Sequence, residues 1–177
     1  MTPAAFVQAE YYTPAKRQAI DLVVLHSTEN GERHGTARNV AAYFANPASP
    51  HASAHYVIDS EEIIQCVRED CVAWGAPGSN HNGIHIEHVG RASQDEAGWR
   101  DDYSAAELAL SIDLCSDVCR RWKIPAVLVT VTGLLARNRG ITTHDAVSRA
   151  FRRSTHSDPG PAFPLSWYCG RVAGLVS

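Results

Sequence analysis

The stretch AIDLVVLHST, residues 19–28, constrains this chain more than any other. It is short, continuously apolar up to its end and rich in β-branched side chains, the pattern of a strand buried on both faces. The strand is expected to end at His26. Around it the sequence alternates strand and helix. GTARNVAAYFAN (35–46) reads as a helix with Val40, Tyr43 and Phe44 on one face. PASPHASAH (47–55) is a loop, and AHYVIDSEEIIQCV (54–67) reads as a hairpin with a polar turn at Asp59–Glu61. WGAPGSNHNG (74–83) is a loop by its Gly, Pro and Asn content. IHIEHVG (84–90) alternates, with Ile84, Ile86 and Val89 marking a core side. The longest helix is expected over 104–122, with Ser104 as N-cap and Glu107 completing a capping box. AVLVTVTGLL (126–135) is a strand or an apolar loop segment, and THDAVSRAF (143–151) a short helix or turn. The end reads as a closing helix interrupted at Gly170. Strands alternating with helices predict α/β layers around a sheet.

No repeat, low-complexity tract or Pro/Ser-rich linker divides the 177 residues, so 1–177 is read as one domain. The net charge is −3 with histidine neutral, and no Lys/Arg block stands out. That argues against a general binder of nucleic acid or anionic membrane. No apolar run of about 18 residues occurs, so no membrane span is expected. MTPAAFVQAEYYTPAKR lacks a continuous apolar core, so no secretory signal is expected. Five cysteines are too few and too scattered for a disulfide scaffold. Cys115 and Cys119 share a helical apolar stripe with Leu108, Ile112 and Trp122 and read as core, while Cys66 and Cys71 could meet across a turn. A reduced cytoplasmic protein is the default.

The nine histidines stand out more than the cysteines. His26 closes an apolar strand, where a side chain projects from the end of a sheet. Asp158 precedes Pro159, which biases it towards extended geometry. DPGP then places Pro159 and Gly160 at the centre of a turn, as type II turns prefer. A carboxylate on so stiff a backbone suits metal ligation. Taken singly, each signal has a bland counterpart: a strand-end histidine is usually packed or solvent-facing, and DPG is usually a surface turn.

VVLHST, SAHYVID…IIQCV, AWGAPGSNHNGIHIEHVG, TTHDAVSRAF and DPGPAFP occur in this order. Together they resemble the zinc-dependent N-acetylmuramoyl-L-alanine amidases of the type-2 amidase and peptidoglycan-recognition superfamily, over about residues 20–165. The resemblance implies a mixed central β-sheet flanked by helices, with a Zn2+ cleft on one face and 1–177 as an amidase catalytic domain. It implies His26, His144 and Asp158 as metal ligands. Glu87 falls where related enzymes place a catalytic carboxylate, and His156 where many place a transition-state-supporting lysine or histidine. Trp74 and Asn80 lie in the loop that builds the family's substrate groove, with core and sugar platform as equal readings of Trp74. His55 is weighed as a cleft-floor residue, with substrate binding or packing as its alternatives. His51 is expected near the cleft, and His34, His81, His85 and His88 as surface or rim residues.

Two departures stand out. Ala54 occupies the position where some lysozyme-like phage members carry a tyrosine. His144 and Asp158 are also further apart than in many members, which makes His156 a rival second ligand. His144 is preferred, because ligation by His156 would leave His144 without a role.

The activity implied is hydrolysis of the amide between N-acetylmuramic acid and L-alanine in bacterial peptidoglycan. The expected setting is a monomeric, phage endolysin-like enzyme, cytoplasmic in the producing cell and acting on the wall after release. Nucleic acid and membrane are not expected partners. A cytoplasmic muropeptide-recycling amidase and a non-catalytic peptidoglycan-recognition module are the alternatives.

Overall fold

The strand expected at 19–28 is β3, Leu22–Ser27, and every residue of it is buried. In the computed structural model, which describes residue 3 and residues 5–176, it lies between β7 (Gly83–His88) and β8 (Gly140–Thr143), parallel to both. Met1, Thr2, Ala4 and Ser177, at the limits of the 1–177 assignment and in the stretch read for a leader, lie outside the described residues. Beyond β7 follow β4 (Tyr56–Ile58), β5 (Ile63–Gln65) and β1 (Ala5–Phe6). The β4–β5 hairpin is the antiparallel pair of this six-stranded mixed sheet. A separate antiparallel pair joins β2 (Tyr12–Thr13) to β6 (Val72–Ala73).

Strand alternation sorts the two faces. Val23, Leu25, Ile84, Ile86 and Ile58 pack under α2 (Asp102–Trp122) and α5 (Leu165–Val176), against Leu108, Ile112, Cys115 and Val172. On the opposite face Val57 and Ile64 meet Val40 and Phe44 of α1 (Thr36–Ala45). Leu22 and Val24 meet Leu134 of α3 (Val131–Leu135) and Val147 of α4 (His144–Phe151). The sheet is thus covered on both sides, as an apolar inner strand requires. No helix among the described residues is long and apolar enough to cross a membrane.

Several local expectations change. The N-cap of α2 is Asp101, whose carboxylate accepts the Ser104 amide at 2.8 Å. Glu107 turns inward instead and accepts the Val89 amide at 2.6 Å. Residues 126–135 give a short helix, capped by Thr130, after a single bridge from Leu128 to Ile141. Helix α5 runs through Gly170 without interruption. On α1, Val40 and Phe44 are buried, but Tyr43 turns outward. Cys66 and Cys71 are free thiols, and Cys115 and Cys119 lie in the core as expected.

Candidate active site

The register of β3 and β7 builds the site. It pairs His26 with Glu87 near the strands' C-terminal ends, and both side chains project to the face opposite α2 and α5. His144 enters as the first residue of α4, directly after β8. Thr143 caps that helix by accepting the Ala146 amide at 3.2 Å, which fixes the backbone beside His144. Asp158 comes from the loop after α4, and its main-chain carbonyl accepts the Asp145 amide at 3.0 Å.

The Asp158 loop forms the expected tight turn, centred one residue earlier than the sequence predicts. The Gly160 amide donates to Ser157 O at 3.0 Å, so Asp158 and the cis Pro159 occupy the central positions. Gly160 has φ +92°, and a Cβ there would fall 2.0 Å from Ala92 O. Gly160→Ala should therefore destabilise the fold by about 2–4 kcal/mol, from backbone strain plus overpacking. A thermal melt should show a Tm lower by about 5–15 °C. A Tm within a degree of wild type would contradict this placement of the loop.

The three side chains converge. His26 Nδ1 lies 3.1 Å from Asp158 Oδ2, and His144 Nδ1 lies 3.1 Å from Asp158 Oδ1. One ligand-type atom from each residue falls within 4.8 Å of the others, and all three residues are buried. Two imidazole nitrogens and a carboxylate at this spacing form a donor set suited to a borderline-soft dication. His156 stands outside the triangle. Its side chain is 64% exposed, its ring stacks on His144 at 4.4 Å, and its Nδ1 is 3.5 Å from Asp158 Oδ1.

Glu87 reaches the same spot, with Oε1 4.0 Å from His26 Nδ1 and only 14% of the side chain exposed. Its Oε2 is buried without a hydrogen-bond partner among the described residues. Burial, reinforced by the charges of Asp158 and Glu29, pushes its carboxyl well above the usual range. Burial alone would raise Asp158 too, but hydrogen bonds from His144 and His26 hold it well below. Burial lowers His26, against the pull of Asp158.

These residues floor a cleft of about 620 Å³ whose walls include Trp74, His51, Tyr43 and Glu29. Glu29 was not anticipated; its Oε1 accepts from Ser27 Oγ at 2.7 Å and the Ala92 amide at 2.8 Å. Asn80 does not line the cleft but braces its loop, accepting the Ala76 amide at 2.8 Å. His55 is fully buried below the floor, where its Nδ1 accepts the His85 amide at 2.9 Å.

His85 and His88, expected at the surface or rim, are both fully buried. His85 lies beneath His26, with its Nδ1 3.0 Å from His26 Nε2. His88 projects the other way, into the core under α2 and α5. Its Nδ1 must donate to the His26 carbonyl at 2.9 Å, so its Nε2 accepts from Ser111 Oγ at 2.7 Å. His34 and His81 are exposed as expected.

This buried histidine content sets an acid limit. Burial pulls His55 down to about 3, helped by the Arg17 charge, and pulls His88 down to about 4. His26 and His85 are lowered as well. Below about pH 6.5 the unfolded chain protonates these rings while the folded one resists, so stability falls as pH falls. Glu87, Glu107 and Glu32, all raised by burial, act with the opposite sign above about pH 4.5, but they are fewer. The net should be about 1–3 kcal/mol lost per pH unit between about pH 6 and 5. Melts in a chelator should show Tm dropping by roughly 5 °C over that unit. A flat or rising Tm would contradict the neutral, buried assignment.

Residues 16–161 match the family model described as N-acetylmuramoyl-L-alanine amidase. The chain is 32% identical over 173 residues to N-acetylmuramoyl-L-alanine amidase A of Achromobacter lyticus, covering 92% of this chain and 88% of that one. Among solved structures it is similar to the Staphylococcus aureus hydrolase AmiA (TM-score 0.70, 19% identity, 98% of this chain and 84% of that one). It is also similar to AmpD (TM-score 0.64, 26% identity, 100% and 96% covered). With a family model spanning most of its length and a relative matched nearly end to end, the chain belongs to the N-acetylmuramoyl-L-alanine amidase family and is an enzyme of that class.

Proposed function

We propose that the chain cleaves the amide between the lactyl group of N-acetylmuramic acid and L-alanine of the peptidoglycan stem, with zinc held by His26, His144 and Asp158. The observation that carries this reading is the buried two-histidine, one-carboxylate group at the floor of an open cleft. A zinc ion there would polarise the scissile carbonyl and lower the pKa of the attacking water.

The chain's own residues supply the rest. Glu87, beside His26 and with one oxygen unpaired, takes a proton from the water and returns it to the leaving amine. His156, exposed at the cleft edge and stacked on His144, donates an N–H to the developing oxyanion. Asp158 brings its two oxygens beside the Nδ1 atoms of His26 and His144, so the three donors converge on one point. Trp74 offers a flat apolar wall for the substrate. Treatment with a strong chelator should abolish turnover, and one equivalent of zinc should restore it. Full activity in demonstrably metal-free protein would contradict the reading.

The finer reading is lysis of intact wall, as an endolysin does. It is supported by likeness in fold to a solved endolysin from Bacillus subtilis (TM-score 0.59, 20% identity). Purified walls should clear on addition of enzyme. Hydrolysis confined to soluble muropeptides would favour a recycling amidase instead.

A further inference from the structure

Beneath the first histidine of the proposed metal site lies a second imidazole that the site itself does not use. The β3–β7 register pairs Val24 with His85 two residues before it pairs His26 with Glu87, so His85 and Glu87 project to the same face. His26 Nε2 and His85 Nδ1 face each other at 3.0 Å, both buried. Two facing ring nitrogens share one proton, and the side on which it sits decides what His26 can do. A proton on His85 Nδ1 sends His26's own proton to its Nδ1, the atom aimed at Asp158, and leaves no lone pair there for a cation. A proton on His26 Nε2 frees that lone pair.

We propose that His85 is a positioning residue for the metal centre: its Nδ1 accepts the Nε2–H of His26 and thereby fixes His26 as an Nδ1 ligand. The inference rests on the metal reading given above.

Three features hold the His85 ring for this task. Its own amide donates to His55 Nδ1 at 2.9 Å, and the His55 ring stacks on it at 5.6 Å and 8°. At the other edge of the ring, His55 Nε2 lies 2.9 Å from Arg17 Nη2 and 3.3 Å from Cys71 O. The stack is therefore anchored at both edges. The third feature is Gly75, where a Cβ would lie 2.7 Å from His85 Nδ1. The loop over the ring thus comes as close as a residue without a side chain permits.

His85 Nε2 is buried with no partner among the described residues. For packing alone, leucine would fill such a place without a stranded nitrogen. The imidazole has its use at the other nitrogen, and an outer partner of this kind typically changes metal affinity by about 10–100-fold.

The test combines zinc affinity by chelator competition, cobalt(II) absorption spectra and nitrogen NMR of the imidazoles in zinc-loaded wild type. NMR should find His26 protonated at Nε2 and His85 bare at Nδ1. His85→Leu should bind zinc about 10–100-fold more weakly, with altered cobalt bands. His85→Asn, which keeps an acceptor near the same point, should stay within about threefold of wild type. Unchanged zinc affinity in His85→Leu, or equal losses in both variants, would overturn the proposal. If neither variant folds, the wild-type spectrum still decides, since a protonated His85 Nδ1 in zinc-loaded protein overturns this inference alone. Wild-type protein that takes up no zinc overturns the metal reading and this inference with it.

Discussion

Asp158→Ala should lose zinc and amidase turnover together, and His26→Ala should do the same. Asp158 is buried, and its two oxygens meet the Nδ1 atoms of His26 and His144, both at 3.1 Å. Its removal deletes one of the three ligands. His26 is held from three sides: Asp158 at Nδ1, His85 at Nε2 and His88 at its carbonyl. Alanine at either position leaves two donors, too few for the three-ligand sites that keep catalytic zinc. Lewis-acid stabilisation is worth several kcal/mol, so turnover should fall by about 10³-fold or more. Metal analysis and wall digestion on the same samples check this. Either variant keeping full zinc and full turnover would sink the ligand set.

Glu87→Gln should behave differently, keeping zinc and fold while losing about 10²–10⁴ in turnover. Glutamine preserves the shape of a mostly buried side chain but cannot take up a proton. Glu87 Oε2 has no partner among the described residues, so the substitution breaks no hydrogen bond there. His156→Ala should also keep zinc, because His156 lies outside the ligand group, while slowing turnover by about 10². Zinc content and rate measured side by side distinguish these variants from ligand losses. A near-wild-type rate for Glu87→Gln would make Glu87 structural.

Much of the site could be read from the sequence because its residues sit at structural punctuation. His26 ends an apolar strand, His144 follows β8 at a helix start, and Asp158 precedes a proline. Such positions are marked by their neighbours. What joined them was the ordered resemblance, since they lie more than a hundred residues apart at the extremes.

His85 and His88 escaped for a definable reason. Alternation in IHIEHVG says which residues share a face, but not what covers each face. In the sheet order β7 is an inner strand, between β4 and β3. Its polar positions therefore meet the cleft floor and the α2–α5 core instead of water. The helix start was misread for a similar reason. Ser104 and Glu107 have capping-box spacing, but Asp101 has an equally good side chain three residues before Ser104, and Glu107 found the Val89 amide. Residues 126–135 were ambiguous because a short apolar run does not distinguish strand from helix.

Mass spectrometry of products from purified peptidoglycan, digested by protein of measured zinc content, decides whether the chain is a zinc amidase of the muramoyl–alanine bond. About one zinc per chain is expected, with free stem peptides beginning with L-alanine released from glycan strands that keep intact muramic acid. Zinc-loaded protein that cuts elsewhere in the wall, or releases no stem peptide, would contradict that assignment.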